Sequence, residues 1–257
     1  MEILVCMKQV PDDSVEIHLG ADGQPDLSQA DPQGNAFDTY ALELAVRFVE
    51  ANGGNVTVAS VGPDDNKTCL KNSLAVGAAK AYLIPDGGAG DADAYVTAKL
   101  LVDAIPKMEE ANGAKFDMIL CGRESTDFIG SEVGEILAEL LKAPFVTNIV
   151  EAVPEGDGLK VKKELDAGYL MVETPLPATF TVSKPDYDPR YPTLKSKLAA
   201  RKVQIPSVEG VSADAARVAY VSYQEPPKRE AGVKIQEDEP ADAVAKAFEL
   251  LTADKVL

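Results

Sequence analysis

The 257 residues contain one histidine, His18, so a Ser–His–Asp triad or a histidine-rich metal site has nothing to be built from. His18 lies in "VEIHLGADGQPDLS", which reads as a surface hairpin with an exposed imidazole. Cys6, Cys69 and Cys121 are odd in number and far apart, which fits neither a disulfide framework nor clustered zinc spacing. Buried thiols are the simplest reading. No base stands beside Cys6 or Cys121, so no catalytic residue and no metal ligand is nominated. Lysine and arginine number 25 against 42 acids, a net charge of −17, which argues against a nucleic-acid partner. No apolar run approaches the roughly 20 residues of a membrane span. The opening "MEILVCMKQV" has none of the basic and small-residue flanks of a signal peptide, so the expected location is cytoplasmic. There is no Walker A run, and "GGAGDAD" at 87–93 is without the last glycine and the strand-to-helix setting of a dinucleotide fingerprint.

What is present is ordinary globular material, 46% hydrophobic, enough for one sizeable core with an appendage or two small domains. Strand and helix patterns alternate through the first 150 residues, which predicts an α/β fold with a mostly parallel sheet covered on both faces. Strands are expected over 3–7, 56–61, 81–84 and 116–120, and helices over 40–50, 66–75 and 92–105. Pro85, Pro106 and Pro144 are read as breaks. After Phe145 short alternating runs and prolines predict antiparallel strands or a hairpin added to the sheet. From Asp186 to about Glu237, proline and charge predict an extended arm with few contacts inside its own domain. Apolar helical spacing returns over 240–251, suggesting a helix that embraces a partner chain. The division expected is 1–185, a nucleotide-binding domain, and 186–257, a recognition loop and C-terminal arm.

In "CGRESTDFIGSEVGEILAELL" (121–141) an apolar strand passes through a polar, glycine-marked loop into a helix with the stripe Val133, Ile136, Leu137, Leu140 and Leu141. Gly122, Gly130 and Gly134 permit close backbone approach. Ser131 is expected as the N-cap of a helix whose start would hold a phosphate. The loops "CMKQVPDD", "NAFD" (35–38) and "SVGP" (60–63) are expected at the same carboxyl edge of the sheet, where open α/β folds bind ligands. An adenine nucleotide suits them, its base read by backbone groups of residues 6 and 61. Asn35 and Asp38 are equally good N-caps for a helix beginning near Thr39.

Several blocks, in order, bear a wider likeness: "VCMKQVPD", "NAFDTYALELAVRF", "VTVASVGP", "LAVGAAKAYLI", "CGRESTD", "VKKELDAGYLMVETPLPATFTVS", "PRYPTLKSKLAARK" and "EPPKREAGVKI". Together they resemble the β (small) subunit of electron-transfer flavoproteins along nearly the whole chain. The resemblance implies a three-layer, Rossmann-like parallel sheet of the adenine-nucleotide-hydrolase-like type, with a β-hairpin addition and the arm. It implies a heterodimer with an α subunit that bears a mobile FAD, and a β subunit that acts as scaffold, nucleotide holder and docking platform without a hydrolytic centre. The nucleotide in the β chain is AMP in a one-flavin carrier or a second FAD in an electron-bifurcating complex. Implied cofactor-binding positions are Cys6, Asn35, Ala36, Phe37, Asp38, Val61, Gly122, Arg123, Glu124, Ser125, Thr126, Asp127, Gly130, Ser131, Glu132 and Val133. Glu164 matches a carboxylate that meets the mobile flavin domain. Leu194, with Tyr191 and Lys195 near it, matches the apolar anchor that docks an acyl-CoA-dehydrogenase-like or other flavin oxidoreductase. NADH and ferredoxin would act through a bifurcating complex.

Glu124 and Glu132 stand where the family usually has glutamines, and Phe128 and Ile129 replace acidic or small polar residues. Two readings follow. Arg123 with the Val133–Gly134 pair favours FAD, the guanidinium stabilising an anionic reduced flavin. Alternatively Glu132 points away and the backbone alone holds AMP. FAD is placed slightly ahead. Two other classes are weighed against these: a universal-stress-type nucleotide-binding regulator, whose glycine spacing is absent, and an adenylating enzyme, for which a pyrophosphate loop is missing.

Overall fold

The computed structural model describes residues 1–86, 93–212, 215–228 and 231–256. The glycine run at 87–92, the expected helix start at 92 and residues 229–230 of the "EPPKREAGVKI" block lie outside the described residues. The elements are β1 (Glu2–Cys6), β2 (Gln9–Pro11), β3 (His18–Leu19), β4 (Pro25–Asp26), β5 (Pro32–Gly34), α1 (Ala36–Asn52), β6 (Asn55–Val61), a 3₁₀ turn (Asp64–Asn66), α2 (Lys67–Ala75), β7 (Lys80–Ile84), α3 (Ala94–Asn112) and β8 (Met118–Gly122). They continue with α4 (Val133–Leu141), β9 (Phe145–Glu155), β10 (Gly158–Leu165), β11 (Gly168–Pro175), β12 (Ala178–Val182), α5 (Leu194–Arg201) and α6 (Pro240–Ala253). By compactness the chain divides into Met1–Tyr223 and Gln224–Leu257.

The first unit is built on an eight-stranded sheet of order β11-β10-β9-β12-β8-β1-β6-β7. From β9 to β7 neighbouring strands are parallel, while β10 and β11 are antiparallel additions. The parallel strands are apolar on both faces because helices cover both. Ile3, Val5, Val58, Leu120 and Phe180 pack with Leu44, Phe48 and Leu70 of α1 and α2. Leu4, Ala59, Ile119 and Cys121 pack with Leu101, Ile105, Met108 and Leu137 of α3 and α4. This is the three-layer α/β arrangement expected from the alternation.

Three local expectations need correction. The break at Pro106 does not occur: α3 runs through it to Asn112 and ends at Gly113, which takes the left-handed conformation. An internal proline costs about 3 kcal/mol, and the buried row Leu101, Ala104, Ile105 and Met108 offsets it. The run at 178–182 is not part of an antiparallel set. Fully buried β12 lies between β9 and β8 and is parallel to both; its alternation of threonine with apolar residues, ATFTV, reads as a half-exposed strand although both threonines are buried. Nor does the segment after Asp186 run extended with few contacts in its first part, although the described residues beyond 210 up to 237 have no helix or strand and are mostly exposed. That first part forms α5, capped by the Thr193 hydroxyl accepting from the Ser196 N–H, then lays residues 206–208 along β7. There the Leu83 N–H donates to the Pro206 carbonyl (3.0 Å) and the Val208 N–H to the Leu83 carbonyl (2.8 Å).

The second unit contains α6, which starts with proline in its first turn and has no buried residue. Val244, Phe248 and Leu251, at helical spacing, remain exposed.

Candidate functional site

The carboxyl ends of the parallel strands β1, β6 and β8 deliver their loops to one edge of the sheet, and the start of α1 is stitched between two of them. Asp38 is buried. Its carboxylate accepts the Lys8 N–H from the β1 loop and the Gly122 N–H from the end of β8, both at 2.7 Å. Asn35 does the same from one residue before the helix. Its Nδ2 donates to the Glu124 carbonyl (2.8 Å), and its Oδ1 accepts the Thr126 N–H (3.1 Å). The capping expected of these two residues is not made: α1 begins at Ala36, and Asn35 forms no side-chain cap. Both side chains instead tie α1 to loops far away in sequence.

Burial pushes the Asp38 carboxyl up, the N–H bonds from Lys8 and Gly122 pull it back, and the result is about 6. The neighbouring Cys6 thiol, then burial, raise the Cys121 thiol well above the usual range. Cys6, Cys69 and Cys121 are all free and buried, as the spacing indicated.

The glycines of the β8 loop approach the protein itself. A Cβ on Gly122 would sit 2.4 Å from Asp38 Oδ1 and 2.7 Å from the Asp38 backbone nitrogen, and one on Gly134 2.5 Å from the Thr181 methyl. Gly122 therefore lets the end of β8 lie against α1, and Gly134 lets α4 lie against β12. Ser131 is not the N-cap of α4. That position belongs to Glu132, without a side-chain cap bond, while Ser131 has φ +54° and donates through Oγ to Glu124 Oε2 at 3.0 Å. Ile129 also has positive φ, +55°, a conformation costly for a β-branched residue and concentrated at ligand loops.

The charges of the loop are paired. Arg123 Nη2 donates to Glu124 Oε1 (2.7 Å), and the guanidinium lies 4.7 Å from the centre of the Phe37 ring. Hydrogen bonding to Arg123 holds the Glu124 carboxyl below its ordinary value despite some desolvation. Lys8 Nζ bridges both carboxylate oxygens of Asp127 at 2.8 Å. Glu124 is thus engaged by Arg123 and Ser131, and Glu132 is exposed. The edge thus gathers Cys6, Asn35 to Asp38, Val61 and the 122–133 loop. It offers backbone groups and paired charges. Among the described residues no group of three or more His, Cys, Asp or Glu could hold a metal ion. Backbone N–H groups and a helix start at such an edge can hold an anionic group.

The docking residues implied by resemblance lie elsewhere. Glu164, on β10 opposite Tyr169 of β11, accepts a hydrogen bond from the Ser183 hydroxyl. Tyr191 is 92% and Leu194 75% exposed, beside the exposed Lys195 at the start of α5.

The family model described as the electron transfer flavoprotein domain matches residues 28–213. An electron transfer flavoprotein subunit beta from Megasphaera elsdenii is 33% identical over 100% of both chains. The chain belongs to the electron transfer flavoprotein β-subunit family. A second subunit beta of the family, from Thermoanaerobacterium thermosaccharolyticum, is 37% identical, covering 83% of this chain and 81% of its own. The acryloyl-CoA reductase electron transfer subunit gamma of Anaerotignum propionicum is 34% identical, over 76% and 72% respectively. No helix among the described residues of this electron transfer flavoprotein chain is long and apolar enough to cross a membrane.

Sequence reading missed Lys8 as the partner of Asp127 and Phe37 as the ring beneath Arg123. Position could have found Lys8, a cation directly after a parallel strand. Nothing local marks Phe37, because its role depends on how closely Gly122 brings β8 to α1.

Proposed function

We propose that the chain is the nucleotide-holding, docking subunit of a heterodimeric electron-transfer flavoprotein. Its α partner bears the FAD that moves between docked states, and the β chain binds an adenine nucleotide at the edge described above. Residues 186–257 supply the recognition loop and an arm that packs on the α subunit. Glu164 meets the flavin domain, and Tyr191, Leu194 and Lys195 dock an acyl-CoA-dehydrogenase-like or other flavin oxidoreductase in the cytoplasm. The reductase complex named for the Anaerotignum relative supports a CoA-ester-linked electron partner.

The observation that supports this reading most is the meeting of Asn35, Asp38, Gly122 and Arg123 around the ends of β1 and β8. When bound, a flavin supplies electron transfer; this chain's residues hold and orient it. We favour FAD slightly over AMP because the Arg123 guanidinium is fixed between Phe37 and Glu124, where it would face a flavin and favour its anionic reduced form. NADH and ferredoxin would then be served through a bifurcating complex. The AMP alternative is supported by the exposed Glu132 and the backbone-rich start of α4.

The test is co-expression with the α subunit, denaturation of the purified complex and quantification of released nucleotides. Two FAD per heterodimer supports the bifurcating form, and Arg123→Ala should then lower flavin retention. One FAD with one AMP makes the complex a carrier. A chain that binds AMP or ATP alone, forms no heterodimer and releases no FAD would favour the universal-stress-type regulator instead.

A further inference from the structure

A second ionic cluster lies away from the nucleotide edge, on the outer part of α1. Glu43 is a buried carboxylate with 2% of its side chain exposed. Three groups of Arg190 donate to it: the backbone N–H (3.1 Å), Nε (2.8 Å) and Nη2 (3.3 Å). The same guanidinium reaches about two turns further along α1, where Nη1 and Nη2 donate to Glu50 at 2.6 and 2.9 Å. Arg47, on the turn between, donates through Nε to Glu43 at 2.5 Å and lies 4.0 Å over the Tyr187 ring. Burial alone would raise the Glu43 carboxyl; the bonds from Arg190 and Arg47 outweigh it and hold it below its ordinary value. The charge of Arg190 is thus spent within the molecule.

The position of this clamp gives it meaning. Arg190 is the residue before Tyr191 and four before Leu194, two side chains that face solvent. At the far end of α5, Ala200, Ile205 and Val208 are buried and 206–208 bridges β7. The segment that displays Tyr191, Leu194 and Leu198 is therefore held at both ends, while its apolar tip, ringed by Lys195 and Lys202, is left outward. α5 itself rests against α2 with Ala200 buried, so it is the stretch just before it, residues 191–193, whose placement depends on Arg190. Only an arginine satisfies two carboxylates at once from one planar fork.

We propose that Arg190, clamped by Glu43 and Glu50, is a positioning residue that fixes the docking segment on α1, so that a partner meets a preorganised apolar tip. This rests on the docking reading above. Without the clamp, a partner must order the segment as it binds, and affinity falls through that ordering cost. Turnover after binding is untouched.

The experiment uses the αβ complex and an acyl-CoA dehydrogenase reduced by its acyl-CoA substrate. Arg190→Gln leaves Glu43 paired with Arg47, so the fold is retained. KM for the dehydrogenase should rise about tenfold, with kcat and released nucleotide within about twofold of wild type. Arg190→Lys should recover only part, since an ammonium does not span both carboxylates. Chymotryptic cleavage after Leu194 and Leu198, both exposed, should quicken in the same complexes in Arg190→Gln. Leu194→Ala separates the two ideas. If it raises KM while Arg190→Gln changes neither KM nor cleavage, the clamp is overturned and docking stands. If neither variant changes KM, the docking reading fails and the clamp's role with it.

Discussion

Asp38 and Gly122, 84 positions apart, are joined by a 2.7 Å hydrogen bond from the glycine N–H to a buried carboxylate oxygen. The other oxygen of the same carboxylate takes the Lys8 N–H. One side chain near the start of α1 thus sets the spacing between the β1 and β8 loops, and with it the width of the sheet edge between them.

That carboxylate should leave a mark on the pH dependence of stability. Its folded pKa of about 6 lies above the unfolded value near 4, so the folded protein binds the proton more tightly. Stability from this group is fullest below about pH 4, declines as the pH rises through about 6 and is level above, a difference on the order of 3 kcal/mol. Urea unfolding at pH 4.5, 6 and 7.5 should show this decline in wild type and a flatter profile in Asp38→Asn. An identical slope in the variant would remove Asp38 as its source.

Gly122→Ala should be far more damaging than Gly134→Ala. At 122 the added carbon meets a carboxylate and backbone atoms, and at 134 a single side-chain methyl, that of Thr181. Losses of about 2–4 kcal/mol and about 1 kcal/mol are expected from overpacking. Only the first should also lower nucleotide retention in the αβ complex. Equal losses at both sites would refute the close approach of β8 to α1.

The thiols should be inert in the native protein. Burial pushes the Cys69 thiol up to about 12, and the Cys6 contact and burial raise Cys121. Since the thiolate is the reactive form, iodoacetamide at pH 8 should leave Cys69 and Cys121 unmodified while the urea-denatured chain is fully labelled. Mass spectrometry of tryptic peptides reads the result; rapid native labelling of Cys121 would mean that the sheet edge opens.

Thr179 offers a stabilising change. It is fully buried in β12, and its hydroxyl has no hydrogen-bond partner among the described residues. Thr179→Val replaces that hydroxyl by a methyl of nearly equal volume and should raise stability by about 1 kcal/mol. A lower unfolding midpoint would show that the hydroxyl is satisfied in solution.

The parallel strands were legible because burial on both faces writes itself as continuous apolar sequence, as in "ILVC" and "VTVASV". The loops that gather at the edge were legible for the same reason, since topology alone sends the ends of parallel strands to one side. What the sequence concealed depends on contacts between distant segments. Pro106 is tolerated only because Ile105 and Met108 find a core. Asn35 and Asp38 look like caps until β8 arrives beside them. Ser131 gives up capping because Glu124, seven residues earlier, takes its hydroxyl. The helix at Leu194 was missed because the lysines around it hide any apolar stripe.

The strip 206–208 alongside β7 has a consequence for self-association. An open sheet normally leaves a row of unpaired backbone groups at each border, a template for another chain. Here Leu83 gives its N–H to Pro206 and its carbonyl to Val208, and Lys107 Nζ fastens the chain beyond by donating to the carbonyls of Glu209 and Gly210. The strip that closes this border is only three residues long, with Ser207 alone turning its backbone groups away from β7, too short an edge to template a further strand. The protein thus ends its own sheet on that side, with the segment that leads away from α5.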